Sequence, residues 1–281
     1  MSQAVNPALS ITKKEKRSPS ELGLRSITFI YFAVMILIPL VVIFQDGFRE
    51  GWQEFWRQIN LPIAAHAIQL TLWTSALMTL VNGVMGLATA YVLVRYEFPG
   101  KRLINAIVDL PLAIPTLVTG VMLVILYGPQ RALGAFLKEE LGFRVIFAPP
   151  GIVLALLFIT LPFVVRTIQP VLMDVDRAQE NAAATLGASN WVIFWRIVFP
   201  SILLPLLNGV LLSFARAVGE FGSVVIVAGN IPMVSQVAAV YVLGEVESEN
   251  RLGASAVSIV LMTIAFGMLS ISDWLYKRWE R

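Results

Sequence analysis

The sequence predicts an all-α polytopic membrane protein with six transmembrane helices and both termini in the cytoplasm. Three observations lead there. Hydrophobic residues make up 57% of the chain and charged residues only 14%, against about 25% charged in a soluble domain. Several apolar runs approach or exceed the roughly 20 residues that cross a bilayer as a helix. Lys and Arg gather in the N-terminal stretch, the 95–102 turn, the 177–199 loop and the C terminus. Six spans put all four on one side, and the positive-inside rule makes that side cytoplasmic.

Each element follows in order. Residues 1–25 are polar, with Lys13, Lys14, Lys16, Arg17 and Arg25. The stretch is too long and irregular for a signal n-region, and no small-residue cleavage pattern follows the first apolar run. It reads as a partly disordered cytoplasmic tail, with one membrane domain over 26–278. The first span is about 26–45, ending at Gln45 and Asp46. Phe48–Ile59 then carries Trp52, Phe55, Trp56 and Ile59 at helical spacing. That pattern predicts an amphipathic helix lying along the outer interface.

The second span, about 63–94, exceeds what crossing requires and must tilt or project. Gly83 and Gly86 on it permit close packing. The third, about 103–127, holds Pro111 and Pro115 and should be kinked. An outer loop over 128–150 ends at Pro149–Pro150. The fourth span, about 151–172, is expected to be interrupted at Pro162. The fifth is about 201–227, followed by an outer segment, Asn230 to Arg251, with Glu245, Glu247 and Glu249. The sixth, about 252–275, ends at the Lys277–Arg281 cluster. No internal repeat or second domain is evident.

Composition also excludes chemistry. With no cysteine, disulfides, thiol catalysis and Cys-ligated metals are ruled out. A single histidine, His66, argues against a His-based metal site. The basic residues flank apolar runs instead of forming one patch, which argues against nucleic acid as a partner. There is no G-x-x-x-x-G-K-[ST] loop, so the chain is not itself an ATPase. No hydrolytic triad is present either, since nothing places His66 beside an activating Ser or Asp. No catalytic residue is expected.

The polar stretch from Arg177 to Pro200 reads as a docking element. Asp176 can cap a first short helix, the alanines propagate it, and Gly187 suits the left-handed position that stops it. Ser189 can cap a second piece running to a break at Pro200. An Ala-rich helix with so little bulk lets another surface approach closely and cannot fold alone.

Ionisable residues inside apolar spans each cost roughly 2.5–3.5 kcal/mol at mid-membrane on insertion scales. Arg216 and Glu220 lie four apart, on one face of the fifth helix. At ~1.5 Å per residue Arg216 sits ~24 Å from the cytoplasmic edge. The pair is either a helix-surface ion pair or a cation lining an anion path with Glu220 orienting it. Asp109 and Arg166 fall at nearly the same depth, ~9 Å from one edge and ~22 Å from the other of a ~30 Å core. They are expected to be neighbours, and an inter-helix salt bridge is the favoured reading. Asn82 reads as a helix-packing hydrogen bond and His66 as an interfacial residue.

The 177–199 loop resembles the "EAA" loop of ABC importer permeases, where Glu-Ala-Ala is followed three residues later by Gly. Ala182, Ala183 and Gly187 match, Asn181 stands where the Glu is expected, and Glu180 sits one place early. The resemblance implies a coupling helix that enters a groove on an ATPase subunit. Whether its polar contact falls to Asn181, to Glu180 or to neither is open. Further motifs resemble sulfate and molybdate permeases across roughly 60–270. They are Phe98-Pro99-Gly100-Lys101, Asp109-Leu110-Pro111 with Pro115-Thr116, Pro162-Phe163-Val164-Val165-Arg166-Thr167, and Ala215-Arg216-Ala217-Val218-Gly219-Glu220-Phe221-Gly222. Ile168-Gln169-Pro170-Val171-Leu172 and Ala228-Gly229-Asn230-Ile231-Pro232 are most similar to the T-type subunits of sulfate/thiosulfate importers.

This resemblance implies an ABC type-1 (MetI-like) bundle, with its core at about 62–272, in the bacterial inner membrane. It implies a non-catalytic subunit working with a second, W-type permease, two ATPase subunits and a periplasmic sulfate-binding protein. ATP and Mg would be bound by the ATPase partners and no cofactor by this chain. Arg216, Gly219, Glu220 and Gly222 are the expected path-lining residues. Molybdate or tungstate is the alternative substrate, and an ATP-independent anion transporter or an intramembrane enzyme are the alternatives in other classes.

Overall fold

A helix of 34 residues, α4 (Pro62–Arg95), is the element around which the second of the chain's two units, Asp46–Arg281, is packed. The computed structural model describes residues 19–279. Lys13, Lys14, Lys16 and Arg17 of the expected tail lie outside the described residues, as do Glu280 and Arg281.

The first unit, Met1–Gln45, contains α1 (Pro19–Phe32), a π-helical turn at Ala33–Leu37 and most of α2 (Ile38–Gly47). The chain is already helical at Pro19, ahead of the expected boundary at 26. Its Gly23–Gly47 stretch is long and apolar enough to cross a membrane.

In the second unit α3 (Trp52–Ile59) is shorter than the amphipathic helix expected from Phe48. Gly51, at φ +91°, delays its start. Phe55 and Gln58 are buried while Trp52 and Trp56 stay exposed. Pro62 at the start of α4 and Pro149–Pro150 at the start of α8 (Pro149–Asp174) occupy the helix-initiating positions. Pro149–Pro150 thus begins a span and does not end a loop.

Among the described residues five helices are long and apolar enough to span: Gly23–Gly47, α4, α8, Asn190–Val218 and Arg251–Arg278. The expected third span is not one kinked helix. It is α5 (Lys101–Ala113) and α6 (Thr116–Tyr127), bent by 111°. Pro111 sits inside α5 without breaking it. The break is at Ile114–Pro115, with ψ +130° and +133°. Proline bars the preceding residue from the α region, and two successive extended residues redirect the chain.

Three further expectations are corrected. The helix α8 runs unbroken through Pro162 and Pro170. Pro162 is itself buried, between the buried residues Thr160 and Val164, so packing holds the helix across the missing hydrogen bond. Pro200 does not end the second loop helix. A π-helical turn at Phe194–Val198 links α10 (Asn190–Ile193) to α11 (Phe199–Val218), with Phe199 N–H bonded to the Phe194 carbonyl. The wider turn ends two residues before Pro200, so the ring meets an opened ladder. The fifth span instead ends at Val218, and a separate helix, α12 (Gly222–Ala228), follows.

The loop beyond α6 holds α7 (Ala132–Glu139). The segment after Asn230, expected on the outer side, packs into the helices: Ser235, Gln236, Val237, Ala238, Val240 and Tyr241 are buried, the last three on α13 (Ala238–Glu247). Thr71 Oγ1 on α4 accepts a bond from the Ala238 N–H at 2.8 Å.

The core is built where α4, α8 and α11 cross, with Leu70, Met78, Ile152, Leu156 and Ala217 at one end and Ala90, Val164, Val165, Ile168 and Ile202 at the other. The last helix, α14 (Arg251–Trp279), packs on α11 and α13. Gly86 sets the α4–α8 approach, since a Cβ there would lie 2.7 Å from Val164 Cγ1. Beside it Asn82 Nδ2 donates to the Leu157 carbonyl (3.0 Å) and Thr160 Oγ1 (2.9 Å), the packing bond expected of it.

Candidate functional site

The polar stretch after Asp176 forms α9 (Arg177–Thr185), capped by Asp176, whose carboxylate accepts from the Ala178 N–H at 2.8 Å. Gly187, at φ +85°, turns the chain out of it, and Ser189 accepts from the Val192 N–H to start α10. Asn181, Ala182, Ala184 and Thr185 are exposed, and Leu186 at the turn is 88% exposed. Ala183 is half-buried. The tip from Asn181 to Gly187 therefore presents a surface with no charged side chain.

Glu180 does not belong to that surface. It pairs with Arg95, the last residue of α4. The side chains of Arg95 and Glu180 are only 8% and 18% exposed. Arg95 was not singled out from sequence, although its place at the end of the long span was visible. In the same turn Lys101 Nζ lies 2.7 Å from Glu97 and holds that carboxyl below its usual range.

Asp109 and Arg166 come together across α5 and α8. Arg166 Nε meets Asp109 Oδ1 at 2.6 Å and Nη2 meets Oδ2 at 2.5 Å. The remaining donors reach Asn105 Oδ1 and its carbonyl, each at 2.9 Å, and Gln169 Oε1. A guanidinium has five N–H donors, and all five are used. This arginine has nothing left to offer a passing anion; it fastens α5 to α8. Asn105 and Gln169 were missed, though each sits one helical turn from its partner, Asp109 and Arg166 respectively.

Arg216 and Glu220 are not on one helix face. Glu220 lies beyond the end of α11, in the break before α12. The two still pair, Nη1 to Oε2, at 2.7 Å. Glu220 is 3% exposed, and its Oε1 accepts from both the N–H and the hydroxyl of Ser223 at 3.0 Å, capping α12. Arg216 keeps 37% of its side chain exposed and makes that single pair. It retains donors, unlike Arg166. Gly222 lies where α12 meets the start of α6, since a Cβ would sit 2.2 Å from Thr116 Oγ1. A Cβ on Gly219 would meet nothing within 4 Å, and Gly219 borders an apolar cavity of about 550 Å³ between α11, α13 and α14. His66 is half-buried in the first turn of α4, its Nδ1 without a partner. Among the described residues no group of three or more His, Cys, Asp or Glu side chains is placed to hold a metal ion.

A bundle with a capped, outward-facing loop helix and a broken fifth span is the build of a transport subunit. Residues 82–281 match the family of binding-protein-dependent transport system inner membrane components, and the chain belongs to that family. It is 41% identical over 243 residues to the probable sulfate transport system permease protein cysT of Chlorokybus atmophyticus, covering 86% of this chain and 85% of that one. It is also 39% identical over 255 residues to the sulfate transport system permease protein CysT of Synechocystis sp., covering 91% and 88%. Among solved structures it resembles a chain of a bacterial alginate ABC transporter in complex with an alginate pentasaccharide-bound periplasmic protein. That match has a TM-score of 0.75 at 17% identity, covering 92% and 93% of the two chains. A chain of the inward-facing MetNI methionine ABC transporter matches with TM-score 0.52 at 17% identity, over 75% and 95%.

Proposed function

We propose that this chain is the permease subunit of an ATP-driven sulfate/thiosulfate importer. The observation that carries this reading is the identity of about two residues in five with sulfate permeases across most of both chains. The subunit sits in the bacterial inner membrane with both termini in the cytoplasm. That orientation puts Arg95, α9 and the C-terminal Lys277–Arg278 on the same side. One membrane domain covers 26–278, and 177–199 is its coupling loop.

Its partners are a second, W-type permease, two ATPase subunits and a periplasmic sulfate-binding protein. The chain performs no catalysis and holds no cofactor; ATP and Mg belong to the ATPase pair. Closure of that pair displaces α9, through Asn181, Ala182, Ala183 and Gly187, and the displacement reaches the spans through α4, α10 and α11. A tetrahedral dianion crosses beside the break at 219–221. There Arg216 offers donors that Glu220 orients, while Gly219 and Gly222 remove bulk. Single, unsaturated contacts suit a path that must release its cargo. Asp109 and Arg166 hold α5 in place and stay out of the path.

The test is uptake of labelled sulfate into proteoliposomes containing the full assembly, with thiosulfate, molybdate and tungstate as competitors. Competition by thiosulfate over molybdate is expected. Preference for molybdate or tungstate would assign the chain to that alternative, and uptake without any ATPase subunit would make it an ATP-independent transporter.

A further inference from the structure

We infer that Arg95 and Glu180 form an internal strut that makes α9 and the end of α4 move as one body, leaving the tip from Asn181 to Gly187 without a charged side chain to meet the ATPase. This deepens the reading of the 177–199 loop as a coupling element and rests on it. Glu180 is the only acidic side chain on α9, and its carboxylate is taken by Arg95. Arg95 ends the longest helix of the unit, and that helix packs along both α8 and α11. The pair is shielded, at 8% and 18% side-chain exposure. Shielded pairs are screened far less by salt than surface pairs. The Nε of Arg95 is buried without a partner, so losing Glu180 would leave a buried cation with no compensation.

The strut also accounts for which loop residues face outward. With Glu180 turned toward α4, Asn181 and Ala182 are presented, one and two positions on, with Leu186 beyond them at the turn. The contact offered by the tip is then small and neutral, with Arg177 the exposed charge at the start of the helix. A carboxylate at 181 is not required, because the family's charge position is filled by Asn and the neighbouring Glu is used inside the chain. Arg95 and Glu180 are positioning residues: they act through α9 and touch neither anion nor nucleotide.

The test uses the full assembly in proteoliposomes, comparing wild type, Arg95→Gln, Glu180→Gln and the exchange Arg95→Glu with Glu180→Arg. Three readouts are taken: copurification of the ATPase, its basal hydrolysis, and the stimulation by sulfate-loaded binding protein. Copurification and basal hydrolysis report folding and assembly, and stimulation reports transmission. Both single variants should keep the ATPase and lose about tenfold in stimulation, a typical size for inter-site coupling. The exchange should restore most of it. Loss of ATPase binding in Glu180→Gln with no recovery on exchange would mean that Glu180 meets the ATPase directly. Unchanged stimulation in both single variants would also overturn the strut. If wild type itself is unresponsive to sulfate-loaded binding protein, the importer reading fails and not the strut alone.

Discussion

Two arginines in apolar helices differ in how many of their donors are spoken for, and that difference separates the roles we propose for them. Arg166 spends all five on Asp109, Asn105 and Gln169. Arg216 has one pair, to a carboxylate that is also capping a helix. Arg166→Met should therefore lower the stability of the detergent-solubilised subunit by about 1.5–3 kcal/mol, the range for hydrogen bonds to charged groups, read as a lower melting temperature. Arg216→Gln should leave the melting temperature nearly unchanged and lower the sulfate uptake rate. The reverse pattern, with Arg216 carrying stability and Arg166 carrying transport, would exchange the two assignments.

On helix α3, Arg57 Nε and Nη2 hold Glu54 at 2.6 and 2.5 Å, and Gln58 adds a bond at 2.7 Å. The Arg57 hydrogen bond keeps the Glu54 carboxyl below its usual range. A depressed carboxylate contributes above its unfolded value and loses that contribution as pH falls through the folded one. Fluorescence of neighbouring Trp52 and Trp56 should accordingly stay flat as pH drops to about 4, the ordinary Glu value, and change below it. The change should vanish in Glu54→Gln.

Among the elements, the prolines show what a sequence reveals and what it does not. Pro62 and Pro149 open helices, although Pro149 reads from sequence as a loop end, whereas Pro111, Pro162 and Pro170 lie inside helices that continue. Only Pro115 coincides with a sharp reversal, because Ile114 before it is extended as well. Whether a membrane helix survives a proline depends on neighbours that compensate the lost bond, and neighbours are not written in the local sequence. The break at 219–221 was not expected although Gly219, Glu220 and Gly222 cluster there, because apolar residues resume from Val224. The depth match of Asp109 with Arg166, by contrast, was readable because helical rise is constant. The caps at Asp176 and Ser189 and the left-handed Gly187 were readable because each is a local rule.

Two variants test the elements. Gly86→Leu forces bulk against Val164, where even a Cβ would stand at 2.7 Å. It should cost about 1–3 kcal/mol, as overpacking does, seen as lost thermal stability. Gly187→Ala meets open space but must hold φ +85°, a strain of roughly 1–2 kcal/mol. It should weaken ATPase copurification while leaving the melting temperature of the spans unaltered.

At the largest scale, the unit Asp46–Arg281 is a helical bundle that carries an uncharged loop tip, Asn181 to Gly187, and a fifth span broken at 219–221. The fold class and the loop's character were legible, because composition, charge placement and short capping motifs are sequence properties. The Arg95–Glu180 pair was not, since its partners are far apart in the chain and meet only once α9 folds back on α4. The central claim is that occupancy by sulfate outside is communicated through this chain to an ATPase inside. Its most direct measurement is ATP hydrolysis by the assembly in liposomes, with and without sulfate-loaded binding protein, for the native loop and for Ala183→Arg. The account predicts stimulation by the loaded protein and its loss in the variant. Equal hydrolysis in all four conditions, or sulfate crossing with no ATPase present, would contradict it.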